Sequence, residues 1–183
     1  MQRTLSQYDE VIGTCRGIFE QKAHDYGTAW RILRLTSLTD QMLIKAGRIR
    51  SIEEKGKQRI AEGVASEFIG LINYCIIALI QAGLPEDTPL DMPIEESLKL
   101  YDQYAAQTKA LMEAKNHDYG EIWRQMRVSS MTDLILMKLH RIKQIEDKQG
   151  ATLISEGVEA NYQDIINYAV FALIKMAEQK ANT

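Results

Sequence analysis

The stretch His-Asp-Tyr-Gly occurs twice in this chain, at residues 24–27 and at residues 117–120, and it decides how the chain is organised. Residues on both sides of it also recur, in the same order and at nearly constant spacing. Such self-similarity is the signature of a tandem repeat. The recurring pairs include Trp30 and Trp123, Lys45 and Lys138, Arg48 and Arg141, Glu62 and Glu156, and Asn73 and Asn167. The sequence therefore predicts two copies of one unit.

The boundary between the copies is marked by Pro85, Pro89 and Pro93, which are all the prolines of the chain. Proline interrupts helices and favours extended connectors. We predict repeat one at 1–83, a proline-rich linker at 84–93 and repeat two at 94–183. Because a unit of about 75 residues buries little surface by itself, we expect the repeats to pack as one globular domain.

Apolar residues recur at helical spacing and predict three main helices in each copy. Glycine after the His-Asp-Tyr sequence should end the first helix, and Ser37-x-x-Asp40 and Ser130-x-x-Asp133 predict capping boxes that begin the second. The predicted helices are 4–23, 37–55 and 59–82 in copy one, and 94–115, 130–148 and 152–177 in copy two. The fold class is therefore predicted to be all-α: a helical bundle from two tandem three-helix repeats, related by a pseudo-two-fold axis, with the third helices at its centre.

The composition argues against several classes of protein. The net charge is −3 and no basic block occurs, which gives no electrostatic reason to bind nucleic acid or an anionic membrane. We see no uninterrupted apolar run of the roughly 20 residues that span a bilayer. Cys15 and Cys75 have no cysteine counterparts and indicate free thiols in a reducing compartment. We expect a cytoplasmic monomer or homodimer without a nucleic-acid or membrane partner.

The end of the first helix carries the first candidate site. Glu20 and His24 lie four residues apart, on one helical face, and Asp25 follows them. Copy two repeats the arrangement, and such ligands suit Mg²⁺ or Mn²⁺. In the alternative, histidine caps the helix, glutamate pairs with it and aspartate forms the turn. The candidate metal ligands are Glu20, His24, Asp25 and Glu62 in copy one, and Glu113, Asp118, Glu156 and Asp164 in copy two.

Cations on the second helix form a candidate phosphate site. Lys45 and Arg48 are three residues apart, as are Lys138 and Arg141, and inward-facing cations of this kind suit phosphate oxygens. The alternatives are a solvated face or pairing with a carboxylate. A further group, Trp123, Arg124 and Arg127, either stacks on a base and holds a phosphate or contains a tryptophan that anchors the core.

The third helix of copy two carries polar residues on an otherwise apolar element. Glu156 and Asn167 are about three turns apart and share a face, and Asp164 lies one turn before Asn167. Burying such groups is costly unless they have partners. Copy one has Gly70 in place of Asp164, which makes copy two the better equipped for metal chemistry. The alternative for Glu156 is a carboxylate favoured by the helix dipole.

The order of these motifs resembles the nucleotide modification associated domain of the first type, in both copies. That resemblance implies a role near nucleotide or modified-base metabolism. A weaker resemblance links Glu156-x-x-Glu159 to the MazG-like all-α nucleotide pyrophosphohydrolases. It implies hydrolysis of a nucleoside triphosphate to monophosphate and pyrophosphate, with Mg²⁺ held by acidic pairs on two helices.

The resulting hypothesis is a nucleotide-metabolism protein, in its concrete form a metal-dependent nucleoside triphosphate pyrophosphohydrolase or an enzyme that processes modified nucleotides. In this hypothesis Mg²⁺ or Mn²⁺ activates water, and His117 and Glu156 are catalytic. The alternative is a non-catalytic nucleotide-binding or protein-interaction module. The nucleotide and its phosphates would be contacted by Lys138, Arg141, Trp123, Arg124, Arg127, Asn167, Lys45 and Arg48.

Overall fold

The protein was analysed as a computed structural model, which describes residues 1–56, 63–149 and 157–182. These residues contain six α-helices and two short 3₁₀ turns, with no strand. Each copy has the same order of helix, 3₁₀ turn, helix and helix, so the predicted all-α tandem architecture is confirmed. The helices are α1 (Gln2–Tyr26), α2 (Leu35–Lys55), α3 (Val64–Gly83), α4 (Ile94–Tyr119), α5 (Val128–Asp147) and α6 (Val158–Ala181).

The first helix of each copy ends where the repeated tetrapeptide predicts. α1 stops at Tyr26 and α4 at Tyr119, and the glycines that follow have φ of 60° and 67°. Side chains with a Cβ rarely adopt this backbone conformation, so glycine permits the abrupt stop. The amide of Gly27 donates to the Ala23 carbonyl, which satisfies one of the carbonyl groups at that end of α1.

The predicted capping boxes are wrong. α2 begins at Leu35 and α5 at Val128, two residues before each serine, and the capping residues Arg34 and Arg127 make no side-chain cap bond. The physical reason is that each 3₁₀ turn is followed by a short extended stretch, which includes Arg34 or Arg127, and the helix begins directly after that residue. The aspartates of the predicted boxes instead pair with cations of the other copy.

The centre of the fold is the pair α3 and α6, which pack against each other, each beside the second helix of its own copy. Their fully buried side chains include Phe68 and Leu71 on α3 and Tyr162 and Ile165 on α6. This confirms that the third helices lie at the core. By length and composition α3 could also cross a membrane, although Asn73 and Tyr74 interrupt its apolar run, and 61% of its most apolar window is buried inside the protein.

Polar contacts between the copies occur in matched pairs. The Tyr8 hydroxyl donates to Asn167 Oδ1 at 2.7 Å, and its counterpart Tyr101 donates to Asn73 Oδ1 at 2.8 Å. Each tyrosine therefore bonds to the other copy's third helix. All four of these side chains are buried.

Three more pairs follow the same rule. In each of them, a hydrogen bond or ion pair that one copy makes to the other has a counterpart in the reverse direction, as in an isologous interface. The pattern is the one that a two-fold relation between the copies generates. The pairs are Thr39–Glu146 with Thr132–Glu53, Arg16–Asp102 with Lys109–Asp9, and Arg50–Asp133 with Lys143–Asp40.

Candidate functional site

The lysine at the middle of the second helix meets a carboxylate in copy two. Asp164 Oδ2 accepts a hydrogen bond from Lys138 Nζ at 2.8 Å, and Oδ1 accepts one from Lys115 Nζ at 2.5 Å. The Asp164 side chain is only 14% exposed. Three helices, α4, α5 and α6, thus bring two cations onto one nearly buried carboxylate. We call these three residues the copy-two cluster.

Copy one pairs the equivalent lysine with a carboxylate one turn earlier. Glu67, 5% exposed, accepts hydrogen bonds from Arg48 and, at 3.5 Å, from Lys45. Its counterpart in copy two is Asn161, while Gly70 is the counterpart of Asp164. A Cβ at position 70 would lie 2.6 Å from Lys45 Cε, so the glycine leaves room for the lysine stem. Loss of the aspartate is therefore compensated by another acid.

The repeated His-Asp-Tyr ends are open to solvent. His117 and Asp118 are 87% and 71% exposed, with Nδ1 and Oδ1 3.2 Å apart. Tyr119 is 75% exposed, and His24 and Asp25 are exposed as well. On α4, Tyr119 follows Lys115 by one turn, so the two residues share a face of the helix.

The candidate metal ligands do not meet in the part of the chain that the structure describes. No group of three His, Cys, Asp or Glu side chains there is arranged to hold a metal ion. Glu20 pairs with Arg16 at 3.2 Å, and Asp164 is held by the two lysines. Glu113 is partly exposed on α4. Glu62 and Glu156 lie outside the described residues, so the roles predicted for them stay predictions.

Trp123 packs inside the protein, and Arg124 contacts its ring and neighbouring side chains. The Trp123 ring is 3% exposed and stacks on Phe171, with centroids 4.2 Å apart. Arg124 lies over the same ring at 4.4 Å and bonds to Glu178 and Gln7. The core-anchor interpretation of Trp123 therefore fits its position. Two other predicted cations, Arg127 and Arg141, are exposed.

Asn167 is engaged on both polar atoms. Oδ1 accepts from Tyr8, and Nδ2 donates to the Thr108 carbonyl at 3.4 Å. The residue is buried, so these bonds satisfy it inside the core. Its observed contacts are structural.

One cation of the copy-two cluster, Lys115, was not predicted from the sequence. The available signal was its retention as Lys22 in copy one, two residues before the histidine in each copy. Cys15, by contrast, is excluded as a nucleophile, because burial raises the pKa of its thiol to about 12 and keeps it protonated at neutral pH.

Comparison with curated proteins and with solved structures finds no match to this chain. The sequence pattern of the family described as nucleotide modification associated domain 1 matches residues 22–82 and 115–176. Each match begins near the end of a first helix and continues into the third helix of the same copy. The two matches together cover more than half of the chain, and we conclude that the chain belongs to the nucleotide modification associated domain 1 family.

Proposed function

We propose that the chain binds a nucleotide or modified nucleotide, and that the copy-two cluster receives its phosphate groups. The observation that carries this proposal is the pair of lysines, Lys115 and Lys138, on the single carboxylate of Asp164. Two ammonium groups and one carboxylate leave one net positive charge. Each ammonium has three donors, so neither is saturated by its bond to Asp164.

Neighbouring residues fit the same ligand. Arg141 is exposed one turn beyond Lys138 on α5 and adds a second kind of phosphate donor. The exposed ring of Tyr119 lies one turn from Lys115 and offers a face for a base. Stacking of a base on an aromatic side chain contributes about 1–3 kcal/mol. Family membership supports a nucleotide as the ligand.

The described geometry favours an anion over a metal ion at this position. A hard cation such as Mg²⁺ needs carboxylate oxygens that are free to coordinate it. Both oxygens of Asp164 are instead bonded to ammonium groups. A phosphate can add to the two lysines without displacing the aspartate.

The test is calorimetric titration with ATP, the deoxynucleoside triphosphates and modified nucleotides, with and without Mg²⁺. Lys138→Gln should weaken binding about tenfold to a hundredfold, because a charge-assisted hydrogen bond contributes about 1.5–3 kcal/mol. Lys109→Gln is the matched control. It removes the same charge from a surface pair with Asp9 and should leave affinity unchanged. The same titration of Lys45→Gln tests copy one: weaker nucleotide binding by this variant would show that copy one also binds.

A second variant separates phosphate binding from metal chemistry. At a phosphate site, Asp164→Asn should keep or tighten nucleotide binding, because it removes a competing negative charge. At a metal site, the same change should abolish Mg²⁺-dependent binding and any release of pyrophosphate. Failure of all the tested nucleotides to bind, with or without metal, would overturn the proposal.

A further inference from the structure

A cleft of about 290 Å³ lies between α1, the start of α3 and the end of α6. Its walls are mainly apolar and include Val11, Ile69, Leu173 and Ala177. We call it the copy-one cleft. The polar residues that also line it are Gln7, Glu10, Thr14 and Lys180.

The equivalent position in copy two is filled by the chain itself. The counterpart of Val11 is Tyr104, and the counterpart of Ala177 is Gly83. A Cβ at position 83 would overlap the Tyr104 hydroxyl and lie 3.3 Å from its Cζ atom. The phenol ring thus enters the space next to Gly83, and the missing side chain of the glycine makes room for it. The large Tyr104 is therefore paired with Gly83, whereas at the copy-one cleft the smaller Val11 is paired with Ala177.

We propose that the copy-one cleft is a binding site for a small, uncharged aromatic molecule with a ring of phenol size. In copy two, the ring of Tyr104 fills the space that corresponds to this cleft. In copy one the equivalent residue is the smaller Val11, which leaves room for a ring of that size. Apolar walls favour burial of a ring. Glu10 and Lys180 carry opposite charges at the cleft, so the lining gives a charged ligand no net attraction.

This site is separate from the copy-two cluster. On α6 the cleft uses residues from Leu173 onwards, whereas Asp164 lies nine residues earlier, roughly 13 Å along the helix. The proposal therefore does not depend on nucleotide binding. If no nucleotide binds, the proposal for the copy-one cleft still stands, and if no aromatic molecule binds, the proposal for the nucleotide still stands.

The test is titration with p-cresol, the side chain of tyrosine as a free molecule, followed by methyl NMR signals of Ile69 and Met176. Both residues line the cleft. We expect saturable shifts confined to the cleft, with a dissociation constant on the order of 1 mM for so small a ligand. Absence of saturation, or shifts spread over the whole protein, would overturn the proposal.

Two variants test whether a tyrosine side chain can fill the copy-one cleft as Tyr104 fills the equivalent position of copy two. Val11→Tyr with Ala177→Gly reproduces the copy-two pair and should weaken p-cresol binding at least tenfold, whereas Ala177→Gly alone leaves the cleft open and should retain it. Unchanged binding in the double variant would contradict the assignment of the site. If the double variant unfolds, Tyr104→Val decides, because opening the second position should raise the stoichiometry from one to two and shift Leu79. A stoichiometry that stays at one would overturn the proposed equivalence.

Discussion

Removing the hydroxyl of Tyr8 should weaken the whole fold, because that hydroxyl joins the two copies inside the core. Tyr8 is fully buried, and it donates to Asn167 Oδ1 at 2.7 Å. Tyr8→Phe keeps the ring and leaves the amide oxygen of a buried asparagine without this donor. An unsatisfied buried group costs about 1–3 kcal/mol. Domains of this size have free energies of unfolding of about 5–15 kcal/mol, so the loss is readily measured.

Tyr101→Phe should cost a similar amount, because Tyr101 makes the reciprocal bond to Asn73. Each contact leaves its own asparagine oxygen without a donor when it is removed, so the double variant should be less stable than either single variant. Urea unfolding followed by circular dichroism measures each loss. A single transition should persist, because the packing of α3 against α6 still joins the two copies.

The matched control is Tyr26→Phe, whose side chain is 72% exposed and whose free energy of unfolding should change by less than about 0.5 kcal/mol. The reasoning fails if Tyr8→Phe is as stable as the wild type. It also fails if the variant unfolds in two separate steps, since that would mean that the copies are independent.

Three further results are expected. Burial raises the pKa of Glu53 and Glu146, so the folded state holds their protons more tightly than the unfolded chain, and the stability associated with protonation is lost as pH rises through the raised pKa. Glu53→Gln or Glu146→Gln should therefore raise the urea midpoint at pH 7, with a difference that shrinks towards pH 4; an equal difference at both values would contradict this. Gly83→Ala should destabilise by about 1–3 kcal/mol through overlap with the Tyr104 hydroxyl, and adding Tyr104→Phe should recover most of the melting temperature; no recovery would show that the overlap is not the cause. The fragment 1–83 should show no cooperative thermal transition, since it lacks every cross-copy bond; a sharp melting curve would refute that expectation.

Much of the fold could be predicted because its main signals are local. The glycines at 27 and 120 end helices through a backbone conformation that other residues rarely adopt, and the apolar spacing of the third helices identifies their buried face. The starts of the second helices were missed because a 3₁₀ turn replaced a side-chain cap. The tryptophans of these turns contact rings far from them in the sequence, Trp30 with Phe19 and Trp123 with Phe171, and such contacts are not a local property of the sequence.

The candidate site was harder to predict, because retention in both copies has two possible causes. Asn73 and Asn167 are retained and bond across the interface between copies, as do Thr39 and Thr132. A repeated sequence shows which polar groups are kept and does not show which of them face the other copy. The residue type of Lys138 predicts a phosphate contact, whereas its bond to Asp164 follows only from the folded arrangement.

The exchanged bonds between copies have a consequence for how the protein responds to dilution. Two separate chains held by such contacts would come apart as their concentration falls, and their stability would depend on that concentration. Here the segment 84–93 connects the partners covalently and keeps each at a high effective concentration near the other. The chain thus has an interface like that of a dimer, but the stability of this interface does not depend on the protein concentration. The bonds from Tyr8 and Tyr101 should therefore persist however few copies of the protein a cell contains.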